Sequence, residues 1–197
     1  MSEFDLVIGR TYDRRRSALC LGYLHTLGLV GKGLIGNFTG PNVAWATAHK
    51  EIDSISLLNL ATVCMFLNFA AEVLERSEND LMEDPIFGNL PWWMDSLWAP
   101  VEFSPPKTFP DDPDGPFFFG SIPGLLSALE IIKSKSPLPL GTAPPSYELM
   151  RRDPKSFAQN FKGLEDNNEC IQWIWRGLFD AATLALEHHQ PLLGNGL

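Results

Sequence analysis

Proline constrains the fold of this chain more than any other residue type, because half of the prolines lie in one segment. Of sixteen prolines in 197 residues, eight fall within residues 81–118. Proline lacks a backbone donor and clashes with the preceding helical turn, so we expect this segment to exclude long helices and central strands. The segment also holds Trp92, Trp93 and Trp98, and aromatic residues are rare in disordered chains. We therefore predict an ordered loop over residues 81–118 that wraps around the rest of the fold.

Apolar residues recur at helical spacing on both sides of that segment. Residues 55–74 are apolar nearly all round, which is typical of a helix covered by several neighbours. We predict this helix to begin near Pro41 or Asp53, to end near Ser77 and to lie at the centre of the fold. Further helical patterns begin near Asp13, Ser121, Ser146 and Asp166.

Strand patterns are scarce by comparison. Phe4, Leu6 and Ile8 alternate with polar or small residues at the N-terminus, and short strands are expected near 101–103 and 117–119. The sequence therefore predicts a mainly α fold: one compact helical domain over residues 1–197, built around a buried central helix. The alternative is an α+β fold with a small N-terminal β element. A hydrophobic content of 45% is enough to form such a core.

Cysteine usage and the N-terminus bear on the compartment. Three cysteines are too few for a disulfide framework, and their odd number suits a reducing environment. The first residues lack the basic and apolar regions of a secretory signal. Residues 54–71 carry no charge, but they are too short and too polar for a typical membrane span. We expect a cytoplasmic protein with no membrane association.

Negative charge is concentrated in the middle third of the chain. Residues 51–114 contain thirteen acidic residues and two basic ones, Arg76 and Lys107, a local charge of −11 in a chain whose overall charge is −9. A net charge of this sign opposes nucleic-acid binding and favours a basic protein partner. Tryptophans within the same region supply the aromatic anchors that protein interfaces use. The predicted partner-binding residues are Glu72, Glu75, Glu78, Asp80, Glu83, Asp84, Trp92, Trp93, Trp98, Asp111, Asp112 and Asp114.

No catalytic, cofactor or metal signature emerges from the sequence. Residues 31–36 match the G-x-G-x-x-G pattern, but the segment before them is helical in pattern and Gly40-Pro41 prevents a following helix, so we interpret them as a loop. The acidic residues lack the order of a calcium-binding loop, and the histidines lack zinc-ligand spacing. Cys170 lies at a predicted helix start, yet no pattern places a base beside it. We therefore assign no catalytic residue, cofactor or metal.

Three consecutive arginines, Arg14, Arg15 and Arg16, form the main basic cluster. Arginine binds phosphate or carboxylate groups through paired hydrogen bonds. We favour the interpretation that these side chains are solvated or pair with the acidic middle third of the same chain.

Two functional hypotheses follow, and a structural one stays beside them. The first is an acidic cytosolic module of the immunity or inhibitor type, which occludes a basic protein such as a toxin. The alternative is a small-molecule-binding protein or enzyme with a helical pocket, and the third interpretation is a homodimer or larger complex in which a neighbour covers the apolar helix. Because buried polar groups need partners, the side chains proposed for the pocket are Tyr23, His25, Asn59, Asn68 and Trp175.

Overall fold

The computed structural model of the protein describes residues 4–11, 14–33, 37–92, 95–153, 157, 164 and 166–196. Its strands are β1 (Phe4–Arg10), β2 (Gly31–Lys32), β3 (Phe38–Thr39), β4 (His49–Ser56), β5 (Ser96–Ala99), β6 (Lys107–Phe109), β7 (Phe117–Ser121) and β8 (Leu192–Gly196). Its α-helices are α1 (Arg14–Thr26), α2 (Leu60–Leu74), α3 (Glu78–Met82), α4 (Ile122–Lys135), α5 (Pro145–Arg152) and α6 (Asn167–Glu187). Two 3-10 helices span Pro41–Thr47 and Phe87–Asn89.

Six of the strands form one mixed sheet in the order β4-β1-β8-β5-β7-β6, and β2 and β3 form a separate hairpin. The pair β5 and β7 is parallel, and all other neighbouring strands of the large sheet are antiparallel. The sheet joins the two ends of the chain, because β8 lies between β1 and β5. The fold is therefore α/β, with helices on both sides of a substantial sheet.

The prediction of a mainly α, or all-α, fold is wrong. The N-terminal strand is confirmed, with Phe4, Leu6 and Ile8 buried on one face, but it belongs to a six-stranded sheet and not to a small β element. Strands β5 and β7 are buried along their whole length, so they lack the apolar and polar alternation that identifies a strand in sequence. Strand β8 begins directly after Pro191, in a short C-terminal segment for which the sequence pattern predicts no strand.

The segment 81–118 is also more than a wrapping loop. It contains β5, β6 and the start of β7, and β5 lies inside the sheet. The prolines do not prevent this, because the four residues of β5 fit between Pro91 and Pro100. Short strands thus occupy the intervals between prolines, and the expectation that this segment contributes no central strand is wrong.

The predicted buried central helix is wrong as well. Residues 49–56 form the edge strand β4, and α2 begins only at Leu60, where Asn59 and Thr62 form a reciprocal cap. The outer face of α2 is exposed at Ala61, Cys64, Asn68 and Glu72. Helix α6 is the more buried element, since it contacts both α2 and α4 on the same face of the sheet.

Side chains that alternate along the strands divide the core into two layers. Phe4, Trp98 and Phe118 pack against α2, α4 and α6 on one face. Leu97 and Phe119 pack against α1 and the 3-10 helix Pro41–Thr47 on the other face. The sheet therefore separates α1 from the larger helical layer, and this separation decides which of the predicted site residues are able to meet.

Candidate functional site

The acidic residues between 72 and 84 lie on a surface formed by the end of α2, a tight turn and α3. Helix α2 ends at Leu74, and the capping residue Glu75 adopts the left-handed backbone conformation with φ 54°. Helix α3 then begins at once, because the Ser77 hydroxyl accepts a hydrogen bond from the backbone N–H of Asp80. The turn keeps α3 next to α2 and presents its acidic residues to solvent.

One ion pair neutralises part of this charge. Arg76 donates a hydrogen bond of 2.6 Å to Asp84, which also accepts from the backbone N–H groups of Ile86 and Phe87. Partial burial acts to raise the pKa of Asp84, but the hydrogen bonds from Arg76 and the two N–H groups outweigh it and hold that pKa below its usual value. We therefore interpret Asp84 as a group that shapes the loop.

Five other carboxylates of this segment remain at the surface. Residues 72–84 hold six acids and one base, a local charge of −5. After the pair of Arg76 and Asp84 is set aside, the exposed acids of the described segment are Glu72, Glu75, Glu78, Asp80 and Glu83. Hydrogen bonds from Ser77 hold the pKa of Asp80 below its usual value. We call these five residues the acidic surface.

A groove of ≈ 230 Å³ adjoins the acidic surface. Its walls come from α3, from the 3-10 helix Phe87–Asn89 and the residues after it, and from β6 and β7. The residues that line it are Asn79, Met82, Glu83, Gly88, Trp92, Pro106, Thr108 and Phe118. We call it the Trp92 groove, because the half-buried indole of Trp92 is its largest side chain. The exposed side chains of Met82 and Ile86, with 37% and 39% of their surface accessible, leave apolar area beside the carboxylates.

The three predicted tryptophan anchors have different positions. Trp92 lines the groove, and its indole N–H donates to the carbonyl of Phe87 at 3.0 Å, which fixes the ring. Trp98 is fully buried in β5, and its N–H donates to the carbonyl of Asn89. No partner is able to reach Trp98 in this fold. Trp93 lies outside the described residues.

The acids near residue 112 serve the interior of the fold. The side chain of Asp112 has no exposed surface and pairs with Arg15 at 2.8 Å and with Arg16 at 3.2 Å. Arg16, itself 5% exposed, also pairs with Asp95 and donates to the carbonyls of Asp114 and Gly115. These bonds fasten α1 to the loop before β7.

The contacts between Asp112 and Arg15 favour the charged form of both side chains. Hydrogen bonding from Arg15 lowers the pKa of Asp112, and hydrogen bonding to Asp112 raises the pKa of Arg15. Asp114 pairs with Arg15 at the surface. The interpretation of the arginine cluster as internally paired is thus confirmed for Arg15 and Arg16.

Asp111 remains exposed, but it lies apart from the acidic surface. It lines a groove of ≈ 410 Å³ together with Arg15, Leu19 and Phe109. This second groove faces α1, whereas the Trp92 groove contains Phe118 from the opposite face of the sheet. The structure therefore brings together Glu72, Glu75, Glu78, Asp80, Glu83 and Trp92, and separates them from Asp111, Asp112, Asp114 and Trp98.

Sequence reasoning missed the apolar part of this surface. From the sequence there was little reason to expect Met82 and Ile86 at the surface, because apolar residues within an acidic stretch are usually buried in the core. Pro106 and Thr108 lie about twenty residues further along the chain and gave no signal at all. Their place in the groove depends on the pairing of β6 with β7.

The side chains proposed for a small-molecule pocket do not converge. Tyr23 and His25 lie on α1, where they bond to the carbonyls of Pro105 and Val30. Asn59 caps α2, Asn68 is exposed, and Trp175 in α6 donates to the carbonyl of Leu129. The sheet lies between the α1 residues and the others.

Among the described residues, no group of three or more His, Cys, Asp or Glu side chains has the arrangement of a metal site. Within the same part of the chain, no helix combines the length and the apolar character that a membrane crossing requires. Burial raises the pKa of the Cys20 and Cys170 thiols, which disfavours the reactive thiolate. The acidic surface with its groove is therefore the strongest candidate site.

Comparison with models of protein families, with curated proteins and with solved structures finds no match to this chain.

Proposed function

We propose that the protein is a binding module of the immunity or inhibitor type, and that it occludes a basic partner protein with the acidic surface and the Trp92 groove. The observation that supports this proposal is the exposure of five carboxylates, Glu72, Glu75, Glu78, Asp80 and Glu83, on one short segment beside exposed apolar side chains. A concentrated negative surface accelerates encounter with a positive one, and apolar and aromatic contacts slow dissociation.

The proposed surface is smaller than the sequence alone suggested. The side chains of Trp98 and Asp112 have no exposed surface, and Asp84 and Asp114 are paired with arginines of the same chain. The binding energy would then come from the α3 region. Trp92, Met82 and Ile86 supply apolar contact, while the carboxylates set the speed and the specificity of association.

The test compares two variants that change the net charge equally. The site variant is E72Q/E75Q/E78Q/E83Q, and the control variant is E51Q/E130Q/E148Q/E187Q, whose positions are exposed elsewhere on the fold. Each immobilised protein is incubated with an extract of its source cells at low and at high salt. Basic proteins that the wild type retains are identified by mass spectrometry, purified and measured for association rate.

We expect the site variant to associate about 10-fold more slowly than the wild type at low salt, because attraction between opposite charges raises association rates by about 10-fold or more. The control variant should keep most of the wild-type rate, and the difference should shrink at high salt, where charges are screened. Equal association of the two variants with the retained protein would refute the proposed surface.

A further inference from the structure

The Trp92 groove has the features of a site for one particular side chain of the partner. It extends from the solvent-exposed Glu83 to Gly88 and Phe118, both of which are buried. Its volume of ≈ 230 Å³ admits one long side chain and not a folded element. Its occupant must therefore be a single protruding group.

The walls of the groove are held in fixed positions. The hydrogen bond from Trp92 to the carbonyl of Phe87 sets the plane of the indole. At Gly88, an added Cβ would lie 2.9 Å from the carbonyl oxygen of Met82 and 2.9 Å from Cγ of Pro106. The missing side chain at Gly88 thus allows the end of α3 and Pro106 to pack closely against this position, which is one wall of the groove.

The charge of the groove has one sign. Within the described part of the chain, Glu83 is the single charged residue among those that line it. Glu78 and Asp80 are exposed on α3, the short helix that ends just before Glu83. On the opposite wall, Thr108 of β6 faces the groove. The adjacent basic residue Lys107 points to the other face of the sheet, because neighbouring side chains alternate along a strand.

Arg76, the other nearby base, is already occupied. It pairs with Asp84 and donates to the backbone carbonyl of Asp80. As far as the described residues go, a cation from outside therefore meets an apolar cleft with the Glu83 carboxylate at its mouth and no free arginine or lysine lining it.

We infer that the Trp92 groove takes an arginine side chain of the basic partner, with the guanidinium against the Trp92 indole and the Glu83 carboxylate. This inference rests on the proposed function and names the anchor of the interface. Arginine fits better than lysine for two reasons. Its planar, weakly hydrated head stacks on an aromatic ring, and its forked N–H groups match a carboxylate. The apolar stem of the arginine would contact Met82 and Phe118.

The experiment is a titration followed by the indole N–H resonance of Trp92 in a ¹⁵N-correlated NMR spectrum, assigned with the W92F variant. The probes are Nα-acetyl-arginine amide, Nα-acetyl-lysine amide and Nα-acetyl-citrulline amide. Citrulline has nearly the shape of arginine without its charge. The protein variants are E83Q, which changes one exposed groove residue, and the matched control E130Q on the surface of α4.

The arginine probe should shift the Trp92 resonance saturably, with weaker binding of the lysine probe and no saturable shift with citrulline. Loss of one charge-assisted hydrogen bond should weaken arginine binding to E83Q by roughly 10-fold, while E130Q keeps the wild-type affinity. Equal shifts with arginine and citrulline, or equal affinity of E83Q and E130Q, would overturn the inference.

Partner binding separates failure of this inference from failure of the proposed function. If E72Q/E75Q/E78Q slows association while E83Q and W92F do not, the acidic surface stands and the arginine anchor is wrong. If none of these variants affects association, both are wrong.

Discussion

The two acidic regions of this protein look alike in sequence and differ completely in the fold. Residues 72–83 hold five exposed carboxylates, on α2 and α3 and at their C-terminal ends, whereas the carboxylate of Asp112 is buried against Arg15 and Arg16. The difference comes from bases that lie nearly a hundred residues away in the chain, on α1. A run of acids therefore predicts a recognition surface only when no distant base folds back onto it.

The first prediction removes the central cation of the internal network. The R16M variant removes one arginine from Asp112, whose side chain has no exposed surface, and from the partly exposed Asp95. Breaking such a buried pair costs about 3 kcal/mol. Urea unfolding should show this loss in the free energy of unfolding. The neighbouring R14M change, at an exposed position, should cost less than about 0.5 kcal/mol. Equal stability of the two variants would place the network at the surface.

The second prediction concerns acid sensitivity. The pKa of Asp112 is lower in the folded protein than its usual value of about 4, because Arg15 and Arg16 bond to the charged form. The stabilisation is therefore complete above about pH 4 and is lost as the pH falls through the lower, folded-state pKa.

Comparison of unfolding free energies at neutral and acidic pH checks this sign. The D112N variant should lose less stability between the two conditions than the wild type. A D111N variant, changed at the adjacent exposed carboxylate, should behave as the wild type does. If D112N and the wild type lose the same stability on acidification, Asp112 is not the group that the arginines hold charged.

The third prediction concerns the exposed carboxylates, for which we expect the smallest changes in stability. It tests whether they differ from the buried Asp112 in having no structural role. Each of the changes E72Q, E75Q, E78Q and E83Q should alter the free energy of unfolding by less than about 0.5 kcal/mol, because exposed charges contribute little to folding. Chemical denaturation of the single variants measures this directly. A cost above about 1 kcal/mol at any of these positions would show that the carboxylate has a structural role.

Local signals in the sequence predicted some elements well. The predicted helix starts near Ser121 and Asp166 are confirmed: the Ser121 hydroxyl accepts a hydrogen bond from the N–H of Gly124 at the start of α4, and Asp166 caps α6. The N-terminal strand is confirmed by the burial of Phe4, Leu6 and Ile8. In each case the residues that determine the element lie within one or two turns of each other.

Elements that depend on distant pairing were not predictable from local patterns. Ile52 and Ile55 have helical spacing, but His49–Ser56 is a strand because it pairs with β1, with an irregular register near Gly9. β8 is a central strand only because β1 and β5 flank it. The candidate site shows the same limit. The closely spaced acids from 72 to 83 were found from the sequence, whereas the burial of Asp112 depends on its contact with the distant helix α1.

Carboxyl footprinting tests the contrast between the two acidic regions most directly. The folded protein is treated with a carbodiimide and glycine ethyl ester, and the modification rate of each acidic residue is read by mass spectrometry. We expect Glu72, Glu75, Glu78 and Glu83 to react quickly and Asp112 to stay protected until the protein unfolds. Modification of Asp112 at the rate of Glu75 would contradict the division into an internal network and a free acidic surface.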